Sequence, residues 1–280
     1  MTNILEKILA QKQLEIAALD AVTIRRAAEA APAPRDFRAV ITPSLGRSHL
    51  PAGDEPGVRA SSIALIAELK RASPSKGLLA PHLDLFQVAD IYAKNGAAAI
   101  SVLTDEKFFL GNISTLRELR TRQLPPSTLH LPLLRKDFII HETQIYEARA
   151  HGADAILLIA AALPMNAHFA ELHACALNLG LAVLVEVHDE DETERALQIP
   201  GIQMIGINNR NLATFEVALE TTERLRPLIP PEITVVAESG IFTADDVSRL
   251  AHAGVDAILV GEALVTAPDI AAKVRELSGA

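Results

Sequence analysis

From Ser62 onward, short apolar runs recur eight times, with helix-like segments between them. The runs are IALIAELK (63–70), AAAISVLTD (97–105), HLPLLRKD (130–137), DAILLIA (154–160), LAVLVEVH (181–188), IQMIGINNR (202–210), ITVVAESG (233–240) and DAILVGEA (256–263). Between them lie segments such as DLFQVADIYAKNG, HETQIYEARAHG, NAHFAELHACALNLG and TADDVSRLAHAG, which close on glycine before the next run, as a helix C-terminus does. The runs are apolar on both faces, which suits parallel strands covered by helices rather than half-exposed hairpins. Strand and helix alternating eight times predict an α/β chain folded as a (β/α)8 barrel. The rival, a doubly wound open sheet, usually carries a Gly-rich phosphate loop after its first strand, and IALIAELKRASPS has none.

The whole chain, 1–280, reads as one TIM-barrel domain: a helical extension (1–43), a polar Gly/Pro-rich connector (44–62) and the barrel (63–280). Ile4, Leu5, Ile8 and Leu9, then Ile16 and Leu19, repeat on one face of one or two amphipathic helices within 1–30, and APAPR (31–35) breaks the pattern. Removing residues 1–40 is expected to weaken substrate binding more than folding. No stretch of eighteen apolar residues predicts a membrane span, and the N-terminus lacks a signal-peptide core. The single Cys175 lies in a helix-like run and reads as a buried, inert thiol. A cytoplasmic location follows as the default. The net charge of −9 argues against a nucleic-acid surface, yet a local cluster of Lys and Arg can still hold a small anion.

In such a barrel the chemistry lies at the C-terminal ends of the strands. The polar residues ending the runs are Glu68 and Lys70, Lys136, Glu186, Asn208 and Arg210, and Glu238 with Ser239. Glu68 and Lys70 share parity, as do Asn208 and Arg210, so each pair points to one face. Clustered carboxylates raise one another's pKa unless cations intervene, and Lys70 and Lys136 are the candidates to intervene. A lysine so placed can have a depressed pKa and act as proton donor or Schiff-base nucleophile. His188 shares parity with Glu186, but helix-like sequence begins at Asp189, so a supporting place is expected.

After the seventh and eighth runs, Ser239, Gly240 and Gly261 fall where barrels commonly bind phosphate. The loop KRASPSKGLLAPHLD (70–84) carries Lys70, Arg71 and Lys76 with Ser73, Ser75 and Gly77, and reads as a lid over an anionic substrate. No metal site is expected: His141, His151, His168, His173 and His188 lack ligand spacing, and HExxH and CxxC are absent.

IALIAELKRASPSKG, LLRKDFII, LVEVHDEDE, IGINNRNL and VAESGI, in this order and spacing, resemble the indole-3-glycerol phosphate synthase family. The resemblance spans 63–265, and the N-terminal helices fit the family's extension. It implies conversion of 1-(2-carboxyphenylamino)-1-deoxyribulose 5-phosphate to indole-3-glycerol phosphate, with no cofactor or metal. It implies Lys136 as the general acid of ring closure and Glu186 as the carboxylate assisting dehydration. Glu68 and Lys70 resemble the positioning pair on the first strand, and Asn208 and Glu238 resemble orienting residues. Ser73, Ser239, Gly240 and Gly261 resemble the phosphate-binding set. Glu262 stands where some members carry Ser, leaving a backbone amide for the anion, and Arg210 meets either the departing carboxylate or the phosphate. The expected partner is a phosphorylated small molecule, without nucleic acid or membrane, bound by a monomer or weak homodimer. Other readings of the barrel remain: a Schiff-base aldolase using Lys136, and a non-catalytic barrel that binds a phosphorylated metabolite and regulates a partner. A phosphoribosylanthranilate isomerase needs an acid–base Cys/Asp arrangement that the sequence lacks.

Overall fold

The computed structural model describes residues 4–42, 63–73, 77–79, 83–121, 130–211 and 214–280. Eight parallel strands close a barrel: β1 (Ala64–Leu69), β2 (Ala99–Leu103), β3 (Leu133–Lys136), β4 (Ala155–Ile159), β5 (Ala182–Val187), β6 (Met204–Asn208), β7 (Thr234–Glu238) and β8 (Ala257–Val260). Neighbours pair in sequence order, and β8 returns to β1 with Ala64 opposite Ala257. Each strand falls inside one of the eight apolar runs.

Strand parity sorts the side chains into two cores. Leu65, Ile100, Val102, Ile156, Leu158, Val185, Ile205 and Val235 point outward and are buried beneath the surrounding helices. Ile66, Leu134, Leu157, Leu184, Met204, Val236 and Leu259 fill the barrel interior. One step further along the same inward parity, hydrocarbon gives way to Glu68, Lys136, Glu186, Asn208 and Glu238. The barrel mouth is therefore polar above an apolar plug.

The extension contains three helices: α1 (Ile4–Ala17), α2 (Ala21–Ala30) and α3 (Phe37–Ile41). Asp20 and Asp36 cap α2 and α3 by accepting from backbone amides of Thr23 and Ala39. α1 reaches the mouth, where Ile4, Leu5 and Ile8 line the cavity. α2 packs on the helix Glu142–Ala150, with the Arg25 guanidinium 4.4 Å from the Tyr146 ring centre. α3 closes the other end of the barrel. Phe37 and Ile41 are fully buried among the interior residues, and Thr42 shares a 2.9 Å hydrogen bond with Thr234 at the start of β7. This corrects the expectation for removal of 1–40, because such a truncation deletes Phe37 from the interior core as well as α1 from the mouth. The connector expectation (44–62) lies outside the described residues.

Candidate active site

The cavity at the C-terminal ends of the strands is lined by Glu68, Lys70, Lys136, Glu186, Asn208, Arg210, Glu238, Ser239, Gly240, Gly261 and Glu262. Every strand-end residue singled out from the sequence is thus brought to one mouth. At its floor, Lys136 Nζ donates to Glu186 Oε2 at 3.1 Å and stands 3.1 Å from Glu238 Oε2. Asn208 Nδ2 donates to Glu186 Oε1 at 3.2 Å, and Lys70 Nζ lies 3.5 Å from Glu68 Oε2. Glu68, Glu186 and Glu238 are 5%, 2% and 1% exposed, so this charge cluster is withdrawn from water.

Burial penalises every charge here, and the arrangement of partners decides which survive. Burial pulls the Lys136 pKa down, but Glu186, Glu238 and Glu68 outweigh it and hold the ammonium well above its ordinary range. The depressed lysine considered from the sequence is thereby reversed. Burial pushes Glu186 up, and Lys136, His188 and Asn208 overcome that, keeping its carboxyl low. Glu238 goes the other way. Burial, with the like charges of Glu186 and Glu68, outweighs Lys136 and raises it to about 7. Two carboxylates sharing one ammonium are split into an ionised one and one that holds a proton readily.

The loops after β6, β7 and β8 form one side of the mouth. Ser239 and Gly240 take left-handed φ values of 66° and 80° in succession, and for Ser239 this is a strained conformation. Arg210 Nη2 reaches within 3.9 Å of Glu262, while its Nη1 donates to the Phe215 carbonyl at 3.3 Å. Gly261 has a role that the phosphate reading did not foresee: a Cβ there falls 2.3 Å from Glu68 Oε2. Gly206, on β6, leaves the same room for Glu238, whose Oε1 lies 2.3 Å from the Cβ position. Gly261→Ala is therefore expected to displace the Glu68 carboxylate and lower kcat/KM by about 10²-fold, with little change in melting temperature. Steady-state kinetics beside a thermal melt check this, and unchanged kinetics contradict it.

Across the mouth, Ile4, Leu5, Ile8, Phe109 and Phe138 make the wall apolar, and the Phe109 and Phe138 ring centres are 6.1 Å apart. The cavity accordingly has an apolar side, a charged floor and a side of glycines and arginine. Against known proteins, the family model described as indole-3-glycerol phosphate synthase matches residues 5–277. The chain belongs to the indole-3-glycerol phosphate synthase family. An indole-3-glycerol phosphate synthase of Roseiflexus castenholzii is 50% identical over 285 residues, covering 100% of this chain and 99% of that protein. One from Dehalococcoides mccartyi (strain 195) is 53% identical over 220 residues, covering 79% of this chain and 83% of that protein. The fold alone is shared with 3-hexulose-6-phosphate synthase from Salmonella typhimurium, at TM-score 0.61 and 16% identity over 78% of this chain and 97% of that one. Membership of the family makes the chain a carboxy-lyase acting on a phosphorylated small molecule.

Several residues of the indole-3-glycerol phosphate synthase site were not singled out from the sequence. Lys12 of α1 is 2% exposed and lies 2.8 Å from both Asp105 and Asp137, next to Lys136. The signal was present: Lys12 follows Ile8 by four residues, so a charge sits on the buried stripe. Arg135 faces outward and ties Asp137 to Glu147. His188, by contrast, stands 3.3 Å from Glu186, in the supporting place expected of it. Among the described residues no group of His, Cys, Asp and Glu is arranged to hold a metal, and no helix is long and apolar enough to cross a membrane. Cys175 is half-buried on the helix Asn166–Asn178, and burial pushes its thiol up, away from reactivity. Of the expected lid, Lys70 lines the cavity, and Ala72–Ser73 pairs with Gly77–Leu78 as a short antiparallel ladder. The Ser73 side chain, Ser75 and Lys76 lie outside the described residues.

Proposed function

We propose that Lys136 is the general acid of ring closure and Glu186 the carboxylate that assists dehydration. The reaction is that of the indole-3-glycerol phosphate synthases: 1-(2-carboxyphenylamino)-1-deoxyribulose 5-phosphate loses CO₂ and water to give indole-3-glycerol phosphate, a step of tryptophan biosynthesis. The ring carbon bearing the carboxylate bonds to the ribulose carbonyl carbon, and the carbonyl oxygen takes a proton from Lys136. CO₂ departs, its bonding pair restoring the aromatic ring. The new hydroxyl then leaves as water, which requires an acid at oxygen and a base for the proton lost beside it. The observation that carries this reading is the ammonium of Lys136, held charged at a buried floor with Glu186 in hydrogen-bond contact. A fixed cation in a dry site also stabilises the negative charge growing on the carbonyl oxygen.

The two sides of the mouth match the two ends of the substrate. The carboxyphenyl ring packs on Phe109, Phe138 and Ile8, and the phosphate lies by Ser239, Gly240, Gly261 and Arg210, with the backbone at Glu262 and Ser73 contributing. Lys70 and Glu68 position the carbonyl and hydroxyl oxygens between them, and Asn208 and Glu238 orient Glu186 and Lys136. This reading takes the chain to act in the cytoplasm as a monomer or weak homodimer, without nucleic acid or membrane, in keeping with its net charge of −9.

The roles separate by product. Glu186→Gln is expected to slow the appearance of indole fluorescence by about 10²-fold or more while CO₂ release in the first turnover is slowed less. If CO₂ and indole fall in parallel, Glu186 belongs to ring closure and the division of labour is wrong.

A further inference from the structure

β5 ends at Val187, and His188 enters the turn that leads to the helix Glu190–Leu197. Its two ring nitrogens face carboxylates on opposite sides. Nδ1 is hydrogen-bonded to Glu192 Oε2 at 2.9 Å, and Nε2, buried and without a hydrogen-bond partner of its own, faces Glu186 Oε1 at ion-pair distance, 3.3 Å. Glu192 is itself fixed, since Oε2 also accepts from the His188 backbone N–H at 2.8 Å and the Glu192 N–H donates to the Asp189 side chain at 2.9 Å.

Neutral imidazole has one donor and one acceptor nitrogen, whereas an ionised carboxylate only accepts. Two flanking carboxylates therefore fit an imidazolium ring. From this geometry we propose that Glu192 and His188 form a positioning relay that keeps Glu186 an oriented, ionised carboxylate for the dehydration step, an inference that rests on the role assigned to Glu186 above. Glu186 faces Lys136 from β3, Asn208 from β6 and His188 from the turn after its own strand, with Glu238 of β7 as the like charge sharing Lys136. Lys136 is thus divided between two carboxylates, and His188 supplies the second cation that lets Glu186 stay charged when Lys136 gives up its proton. Burial opposes a charge on His188, but Glu186 and Glu192 outweigh it and raise the ring to about 10, so the relay is charged throughout the neutral range.

The bland alternative is a helix cap, in which Glu192 merely satisfies the His188 amide. The pH profile separates the two. His188→Gln removes the cation, and Glu192→Gln keeps a hydrogen-bond acceptor for Nδ1 while removing the charge that holds the proton on the ring. In His188→Gln the acid limb of kcat, followed by indole fluorescence, is expected to move up by about one pH unit or more, whereas in Glu192→Gln, whose ring stays charged in acid but gives up its proton at lower pH, the alkaline limb is expected to move down. Thermal melts of each variant run alongside, and Glu192→Gln, at a partly exposed position, keeps the test open should His188→Gln fold poorly. Lowered melting temperatures with the acid limb of His188→Gln and the alkaline limb of Glu192→Gln both left as in the wild type overturn the relay and leave a cap. Glu186→Gln belongs to the same series: if it keeps wild-type kcat, the role of Glu186 fails first and the relay fails with it.

Discussion

Lys136→Met is expected to lower kcat by about 10²–10⁴-fold, the range for losing a positioned proton donor. Methionine matches the length of the lysine stem and leaves the barrel floor filled, so no cavity opens beneath the site. Two effects combine. The carbonyl oxygen loses its acid, and Glu186 and Glu238 lose the ammonium that stands 3.1 Å from each. With burial then unopposed by Lys136, Glu186 moves toward its neutral form and the acid limb of kcat shifts upward. Lys136→Arg distinguishes proton donation from charge alone, because guanidinium keeps the charge but does not release its proton. Arginine is expected to restore little. The chain contains no Trp, so indole fluorescence rises from a low background. Near wild-type turnover by Lys136→Arg contradicts the proton-donor role.

Lys12→Met is expected to destabilise the protein by about 3–5 kcal/mol, as for other buried charges that lose a partner. Asp137 keeps Arg135, whereas Asp105 loses its ammonium and is left with the backbone amides of Phe108 and Phe109. Burial alone raises the Asp137 carboxyl, but Arg135 and Lys12 outweigh it and hold it below its ordinary value of 3.8. A depressed carboxylate contributes stability above its unfolded pKa and loses it as pH falls through the folded one. The gap between wild type and Lys12→Met is thus widest near neutrality and narrows in acid. Urea titrations at pH 7 and pH 3 read this as a shift in midpoint at constant slope. Because Ile4, Leu5 and Ile8 share α1 with Lys12 and line the apolar side, KM is expected to rise more than kcat falls. Equal midpoints for the two proteins contradict the account of the cluster.

The barrel was legible because parallel strands are buried on both faces, so that runs such as DAILLIA and DAILVGEA carry no alternation to confuse them with hairpins. The strand-end residues were legible for the same reason, since a Glu or Lys closing a hydrocarbon run has few structural explanations. What the sequence left hidden depends on contacts across the fold. Phe37 sits in a five-residue helix with no periodicity to read, and only closure of the barrel makes it a plug. Gly206 and Gly261 are needed because Glu238 and Glu68 occupy the space of their missing side chains, and each pair is distant in sequence. The direction of the Lys136 shift is not legible in sequence because it turns on whether Glu68, Glu186 and Glu238, from three other strands, come close enough to outweigh burial.

The most direct test of the central claim, that Lys136 acts as a charged acid and forms no bond to substrate, is borohydride trapping during turnover. The protein is incubated with the carboxyphenylamino-deoxyribulose phosphate, reduced, and weighed intact by mass spectrometry while indole fluorescence is recorded. The account predicts indole formation with an unmodified protein mass. A reduced adduct that maps to Lys136 contradicts it and makes the lysine a Schiff-base nucleophile.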